Sequence, residues 1–231
     1  MHIHGLQKLT LLDYPGHTAC TVFTGGCNYR CPFCHNATLV LRPTEQPLIG
    51  PDEVLGFLKK RQGLLDGVCI TGGEPTLEAG LPDFAARIKE LGFAVKLDSN
   101  GSRPEALREL VEKKLVDYVA MDIKSSRENY GRLVGLPGYD TAPVAESAAY
   151  LMEGRVDFEF RTTVVRELHT AEDFERIGQW LQGGEKYFLQ AFKDSGDILG
   201  GSFHAYGRAE MEAFREQLLP YIPDTFLRGV D

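Results

Sequence analysis

Strands and helices alternate along this chain, and the alternation predicts an α/β fold on a parallel sheet with right-handed crossovers. Three observations carry the prediction. Six runs rich in β-forming residues recur at intervals long enough to hold a helix. Each is followed by a helical apolar pattern or a helical turn, and the first four are closed by glycine or aspartate. The chain has 231 residues, 43% of them hydrophobic, so one domain spanning 1–231 can bury a sizeable core without a disulfide framework.

Taken in order, the first strand is 18–23 (Thr-Ala-Cys-Thr-Val-Phe), stopped by Gly25 and Gly26, with the cysteine-rich stretch directly after it. A polar connection through Pro43 and Pro47 leads to a helix opened by Pro51, Asp52 and Glu53, whose Val54, Leu55, Phe57 and Leu58 recur at helical spacing. Strand 67–71 runs into Gly72-Gly73-Glu74-Pro75. A helix near 81–91 precedes strand 93–97, which ends in Asp98-Ser99-Asn100-Gly101. Pro104 suits a first helical turn, and strand 118–121 ends in Asp122-Ile123-Lys124. A helix near 142–152 and strand 157–164 follow. Thr170 with Asp173 three residues on reads as a capping box for a helix through Leu181; strand 186–191 and a terminal helix near 209–219 complete the series.

The formal charge of −8 and acidic pI disfavour nonspecific binding to nucleic acid or to an anionic membrane surface. No basic-then-apolar segment opens the chain, and no apolar run approaches a spanning helix. A cytoplasmic location is expected. Five cysteines, three of them in one loop, do not read as a secreted disulfide scaffold, and a reducing compartment suits thiolate ligands.

Those three are Cys27, Cys31 and Cys34, in Gly-Gly-Cys-Asn-Tyr-Arg-Cys-Pro-Phe-Cys-His-Asn from Gly25 to Asn36. Thiolates this close suit a polynuclear metal centre; a zinc site completed by His35, or merely reduced buried thiols, are the plainer readings. Three ligands underfill a closed zinc site, whereas a four-iron cluster on three thiolates keeps one iron open. Cys20 and Cys69 fall inside strands and read as core.

Cys-x3-Cys-x2-Cys with Phe33 before the last cysteine resembles the cluster loop of the radical S-adenosylmethionine (SAM) superfamily. The ending Cys34-His35-Asn36 is similar to that of glycyl radical enzyme activating enzymes. The run from Gly5-Leu6-Gln7-Lys8 to Leu12-Asp13-Tyr14-Pro15-Gly16 resembles anaerobic ribonucleoside-triphosphate reductase activating proteins. The resemblance implies a partial (β/α)6 TIM-like barrel holding a [4Fe-4S] cluster on Cys27, Cys31 and Cys34, with SAM on the open iron. It further implies a flavodoxin- or ferredoxin-type reductant, and a glycyl radical enzyme as partner, here an anaerobic ribonucleotide reductase.

The same resemblance distributes roles. Phe33 belongs to the cofactor loop. Gly72, Gly73 and Glu74 match the motif that contacts the SAM amino group, with Glu74 either touching SAM or orienting the loop. Ser99, Asn100 and Lys124 match residues near the SAM ribose or carboxylate, and Asp98 and Asp122 match aspartates that help hold a monovalent cation. Thr163 or Val164 is a candidate to line the adenine, and Gln190 and Phe192 are similar candidates. Each has a plainer reading: turn glycines and Asx residues, a solvated lysine, packing threonines. His35, His169 and His204 are assigned no catalysis. Another radical SAM reaction, on a peptide or on a small molecule in the manner of a deazaguanine-forming enzyme, would share these motifs. A non-enzymatic iron–sulfur carrier or zinc-binding module is the third reading.

Overall fold

A computed structural model describes residues 1–194 and 196–230, in two compact units. The first comprises 1–28, 38–120 and 155–157; the second comprises 29–37, 121–154 and Phe158 onward. The two units interleave along the chain.

In the first unit, β1 (Ile3–Thr10) pairs antiparallel with β2 (Ala19–Thr24). The short α1 (Ala37–Leu41) precedes α2 (Pro51–Lys59) and β3 (Gly67–Gly72). Then come α3 (Leu81–Glu90), β4 (Ala94–Ser99) and α4 (Pro104–Glu112). β2, β3 and β4 are parallel, in register from Ala19↔Gly67 to Thr24↔Gly72 and from Gly67↔Ala94 to Ile70↔Leu97. Successive side chains point to opposite sheet faces. Val95 and Leu97 are therefore buried with the core residues Leu55, Leu58, Phe84 and Ile88, while Lys96 and Asp98 share the other face. Pro51 opens α2 with Asp52 and Glu53 in its first turn and Lys59 in its last, the charge order the helix dipole favours.

β5 (Tyr118–Asp122) begins in the first unit and ends in the second. Beyond it lie α5 (Tyr130–Leu133), α6 (Ala142–Met152), β6 (Asp157–Val164) and α7 (Ala171–Trp180). The chain finishes with β7 (Lys186–Ala191), α8 (Arg208–Leu218) and β8 (Asp224–Arg228). β6, β7 and β8 are parallel; Thr163 faces Gln190, which faces Arg228. Phe160, Leu189, Phe174 and Ile177 are buried apolar residues of this unit. α7 begins where expected: Asp173 accepts from the Thr170 backbone N–H at 3.0 Å.

All six expected strands form, as β2 to β7, two of them (β6 and β7) with the expected boundaries and the others within two residues of them. β1 and β8 were not expected. β1 carries Gly5, Gln7 and Lys8 in place of a β-branched run, and β8 is five residues long; pairing with β2 and β7 makes each a strand. No helix among the described residues is long and apolar enough to cross a membrane.

Candidate functional site

In the first unit the end of β2 feeds Gly25, Gly26 and Cys27, and the end of β3 is stitched onto that turn. Gly73 N–H donates to Thr24 O at 2.9 Å and Glu74 N–H to Gly26 O at 2.8 Å. A Cβ on Gly73 would lie 1.8 Å from Gly26 O; Gly72, at φ +117, would place one 2.3 Å from Thr24 O. The backbone these glycines admit is that of Thr24 and of Gly26 at the start of the cysteine loop.

Glu74 is 1% exposed and its carboxylate is fully engaged. It accepts from Ser99 Oγ at 2.9 Å, from the backbone N–H groups of Asn100 at 2.6 Å and Thr76 at 3.1 Å, and from the Thr76 hydroxyl. Burial raises its pKa and these four donors oppose the rise. These bonds tie the carboxylate to Thr76, Ser99 and Asn100. Ser99, held on Glu74, also accepts from Gly101 N–H at 3.1 Å.

Asn100 reaches the cysteine loop. Its Nδ2 donates to Asn28 Oδ1 at 2.9 Å and lies 3.8 Å from Cys27 Sγ, while its Oδ1 accepts from Ser102 N–H at 2.9 Å. Asn28 Nδ2 donates to Ser102 Oγ at 2.8 Å, closing the network. Asp98 is ion-paired with Lys96, which is 2% exposed.

In the second unit, Cys31 is buried and Cys34 N–H closes a turn onto Cys31 O at 3.0 Å. Arg30 N–H donates to Val134 O at 2.8 Å, Gly200 N–H to Pro32 O at 3.0 Å, and Tyr29 Oη to Tyr139 Oη at 2.7 Å. Phe33 is buried with its ring edge-on to His169 at 6.4 Å between centroids. His169 Nδ1 accepts from Val165 N–H at 3.1 Å, so Nε2 carries the proton and donates to Lys124 O at 2.9 Å. One imidazole thus touches both Phe33 and the Lys124 backbone.

Asp122 receives Arg161 Nε at 2.5 Å and Lys124 Nζ at 2.8 Å. Burial works against both charges. For Asp122, Arg161 and Lys124 outweigh it and hold the carboxyl far below the usual range; for Lys124, Asp122 and the thiols of Cys31 and Cys34 hold the ammonium above its ordinary value. Lys124 is accordingly a cation within electrostatic reach of two of the three cysteines. Thr163 and Gln190 meet at 3.5 Å, and Gln190 Oε1 accepts from Arg228 at 3.3 Å. Burial lowers the pKa of His35, which stacks on Phe192 at 5.3 Å with Nε2 buried and unpartnered among the described residues. His204 is bound to Glu167 at 2.6 Å.

Sequence reasoning missed Asn28, Arg161 and His169 as site residues. Arg161 left one signal, a charge alternating with Phe160 and Thr162 inside a strand; Asn28 and His169 left none. No disulfide joins the cysteines, and burial pushes the Cys20 thiol up to about 12, as suits a core residue. Among the described residues no three His, Cys, Asp or Glu side chains are grouped so as to hold a metal ion, the three loop cysteines included.

An α/β chain with a parallel-dominated sheet and a three-cysteine loop after a strand defines a class, and the comparisons agree with it. Residues 21–181 match the model of the radical SAM superfamily. The chain is 33% identical over 199 residues to a Methanocaldococcus jannaschii protein named for the glycyl-radical enzyme activating enzymes, covering 83% of this chain and 80% of that one. It is 26% identical over 193 residues to the pyruvate formate-lyase-activating enzyme of Listeria monocytogenes, covering 78% and 75%. Among solved structures, Streptococcus suis SuiB bound to S-adenosylmethionine superposes with a TM-score of 0.70 at 15% identity, over 89% of this chain and 49% of SuiB. The chain thus spans about half the length of that structure, a likeness that shows the fold. This chain belongs to the radical SAM superfamily, and it is an enzyme.

Proposed function

We propose that this enzyme activates a glycyl radical enzyme, with Cys27, Cys31 and Cys34 as ligands of a [4Fe-4S] cluster and SAM bound at its open iron. When bound, the cluster and SAM supply one-electron cleavage of SAM and a 5′-deoxyadenosyl radical able to take hydrogen from a backbone glycine of the partner. The single observation that carries the reading is the identity to the M. jannaschii protein over four fifths of both chains, with the three-cysteine loop inside the family match.

The chain's own residues prepare the thiols. The Asn100 amide donates toward Cys27 Sγ, and the Lys124 ammonium lies within electrostatic reach of Cys31 and Cys34. Hydrogen bonds to cluster sulfurs set reduction potential, so Asn100 acts as a tuning residue. Glu74 positions it by holding its backbone N–H. His169 fixes Phe33 beside the Lys124 strand end. Thr163 and Gln190, on the less buried face of β6 and β7, are the residues proposed for the adenine. The partner is an anaerobic ribonucleoside-triphosphate reductase, the electron comes from a flavodoxin- or ferredoxin-type protein, and the setting is cytoplasmic.

Anaerobic reconstitution with iron, sulfide, reductant and SAM tests the chemistry: 5′-deoxyadenosine is expected from the wild type and lost in Cys31→Ala. No product despite a verified cluster refutes the enzyme assignment at these residues. A glycyl doublet in the electron paramagnetic resonance spectrum, after mixing with the reductase, is the expected sign of the partner. Product without the doublet points instead to a peptide or small-molecule substrate.

A further inference from the structure

His2 and His4 flank Ile3 at the start of β1, and the function proposed above uses neither. They line one cavity of the first unit, about 380 Å³, together with Gly25, Pro43, Leu48 and Glu78. A β-bulge sets the direction of His4. From Ile3↔Thr24 to Gly5↔Phe23 the pairing advances two residues on β1 and one on β2, which leaves His4 as the extra residue. Its ring edge bearing Cδ2 and Nε2 faces Gly25, where a Cβ would lie 2.4 and 2.6 Å from those atoms.

Each imidazole is held by one nitrogen. His4 Nδ1 lies 3.1 Å from Pro47 O, and His2 Nδ1 lies 3.1 and 3.2 Å from the two Glu78 carboxylate oxygens. A carbonyl or carboxylate oxygen only accepts, so Nδ1 carries a proton in both rings and donates it. In the neutral ring Nε2 is then a bare acceptor, and neither Nε2 has a hydrogen-bond partner among the described residues. Glu78 also accepts the His2 backbone N–H at 2.9 Å and its side chain is 11% exposed, so the carboxylate that orients His2 is itself fixed. Ile49 N–H donates to Ile3 O at 2.8 Å, tying the segment that carries Pro47 to β1 between the two histidines.

A metal-ligating histidine donates its other ring N–H to a carboxylate or a backbone carbonyl, which fixes the tautomer and presents the bare nitrogen to the ion. One partner of each kind is present, and both rings border one cavity. We propose that His2 and His4 bind a divalent transition-metal ion of the zinc and nickel class through Nε2, with water in the remaining positions and Glu78 and Pro47 O as outer partners. Two protein ligands make an open site, smaller than the three-residue groupings that are absent among the described residues. The bound ion pins the start of β1 beside the turn that leads into Cys27. The site shares no residue with the proposed cluster ligands and does not rest on that reading.

The loop thiols would also take such ions, so the test uses the full chain carrying Cys27→Ala, Cys31→Ala and Cys34→Ala. Equilibrium dialysis against zinc is expected to give one ion per chain. Zinc at about a hundredfold over its dissociation constant should raise the melting temperature by roughly 5–11 °C, and magnesium, which prefers oxygen ligands, should not. His2→Gln, at a side chain 69% exposed, should abolish both effects in a protein that still folds. Glu78→Gln should weaken zinc binding roughly 10–100-fold. No bound zinc, zinc binding undiminished in His2→Gln or in His4→Gln, or an equal rise in magnesium overturns the proposal. Should the cysteine variant fail to fold, nuclear magnetic resonance on the wild type decides. Cobalt(II) is expected to broaden the ring signals of His2 and His4, assigned by their substitution, and signals that stay sharp at saturating cobalt overturn the site.

Discussion

Gly73→Ala is the most informative single substitution, because it challenges the stitch between β3 and the cysteine loop without touching a polar side chain. The added methyl would sit 1.8 Å from Gly26 O and 2.6 Å from Gly26 C, both backbone atoms with no rotamer to yield. Relief requires moving the strap away, which breaks the bonds Gly73 N to Thr24 O and Glu74 N to Gly26 O. Two backbone hydrogen bonds contribute about 2 kcal/mol net, and overpacking costs about 1–3 kcal/mol. A loss of roughly 3–5 kcal/mol lowers the melting temperature of a chain this size by roughly 6–20 °C. Gly56→Ala is the control: it lies within α2 with nothing within 4 Å of the new methyl, and should stabilise by up to about 1 kcal/mol. Circular dichroism melts and urea titrations on the three proteins, before any reconstitution, give the comparison. A Gly73→Ala protein within about 1 kcal/mol of wild type would refute the stitch as described, since overpacking alone exceeds that margin on average.

Asn100→Ala should leave the fold intact while shifting the reduction potential of the reconstituted cluster and its electron paramagnetic resonance signal, because the amide facing Cys27 Sγ is gone; an unchanged potential would remove Asn100 from that role. Glu74→Gln keeps the size but turns an amide toward at least one of the four donors, and should cost about 1–3 kcal/mol in urea unfolding, with Ser99 or Asn100 losing its partner. Asp173, 1% exposed, accepts from Ser126 Oγ at 2.6 Å, Asn129 Nδ2 at 2.6 Å and Thr170 N–H at 3.0 Å. Burial opposes its charge, yet these donors hold its pKa below the ordinary value of 3.8. Its contribution is therefore complete above that value and lost as pH falls through the depressed one. Asp173→Asn should lower stability at neutral pH by about 3 kcal/mol and flatten the acid limb of the stability–pH curve; an unaltered limb would assign the acid loss elsewhere.

The six strands β2 to β7 were legible because each is a short β-forming run, and local chemistry of that kind survives into the fold. The helix entries at Pro51, Pro104 and Thr170 were legible for the same reason: a fixed proline φ and a capping side chain act within one turn. The cysteine spacing was legible as metal chemistry because it is a pattern along the chain. Nothing local marked β1 or β8, whose strand character comes from a neighbour to pair with.

The site divides along the same line. From sequence alone came the residue types at the strand ends, Cys27, Gly73, Glu74, Asn100, Asp122 and Lys124, and the family they resemble. Only the tertiary structure decided what each faces. Glu74 turned inward onto Ser99 and Asn100, and Asn100 reached Cys27 across 73 residues of chain. Arg161 joined Asp122 from 39 residues away, and Lys96 closed on Asp98. Charges buried on a sheet face must find partners at whatever separation the fold supplies, and those separations are set by strand register, which no single stretch of sequence contains.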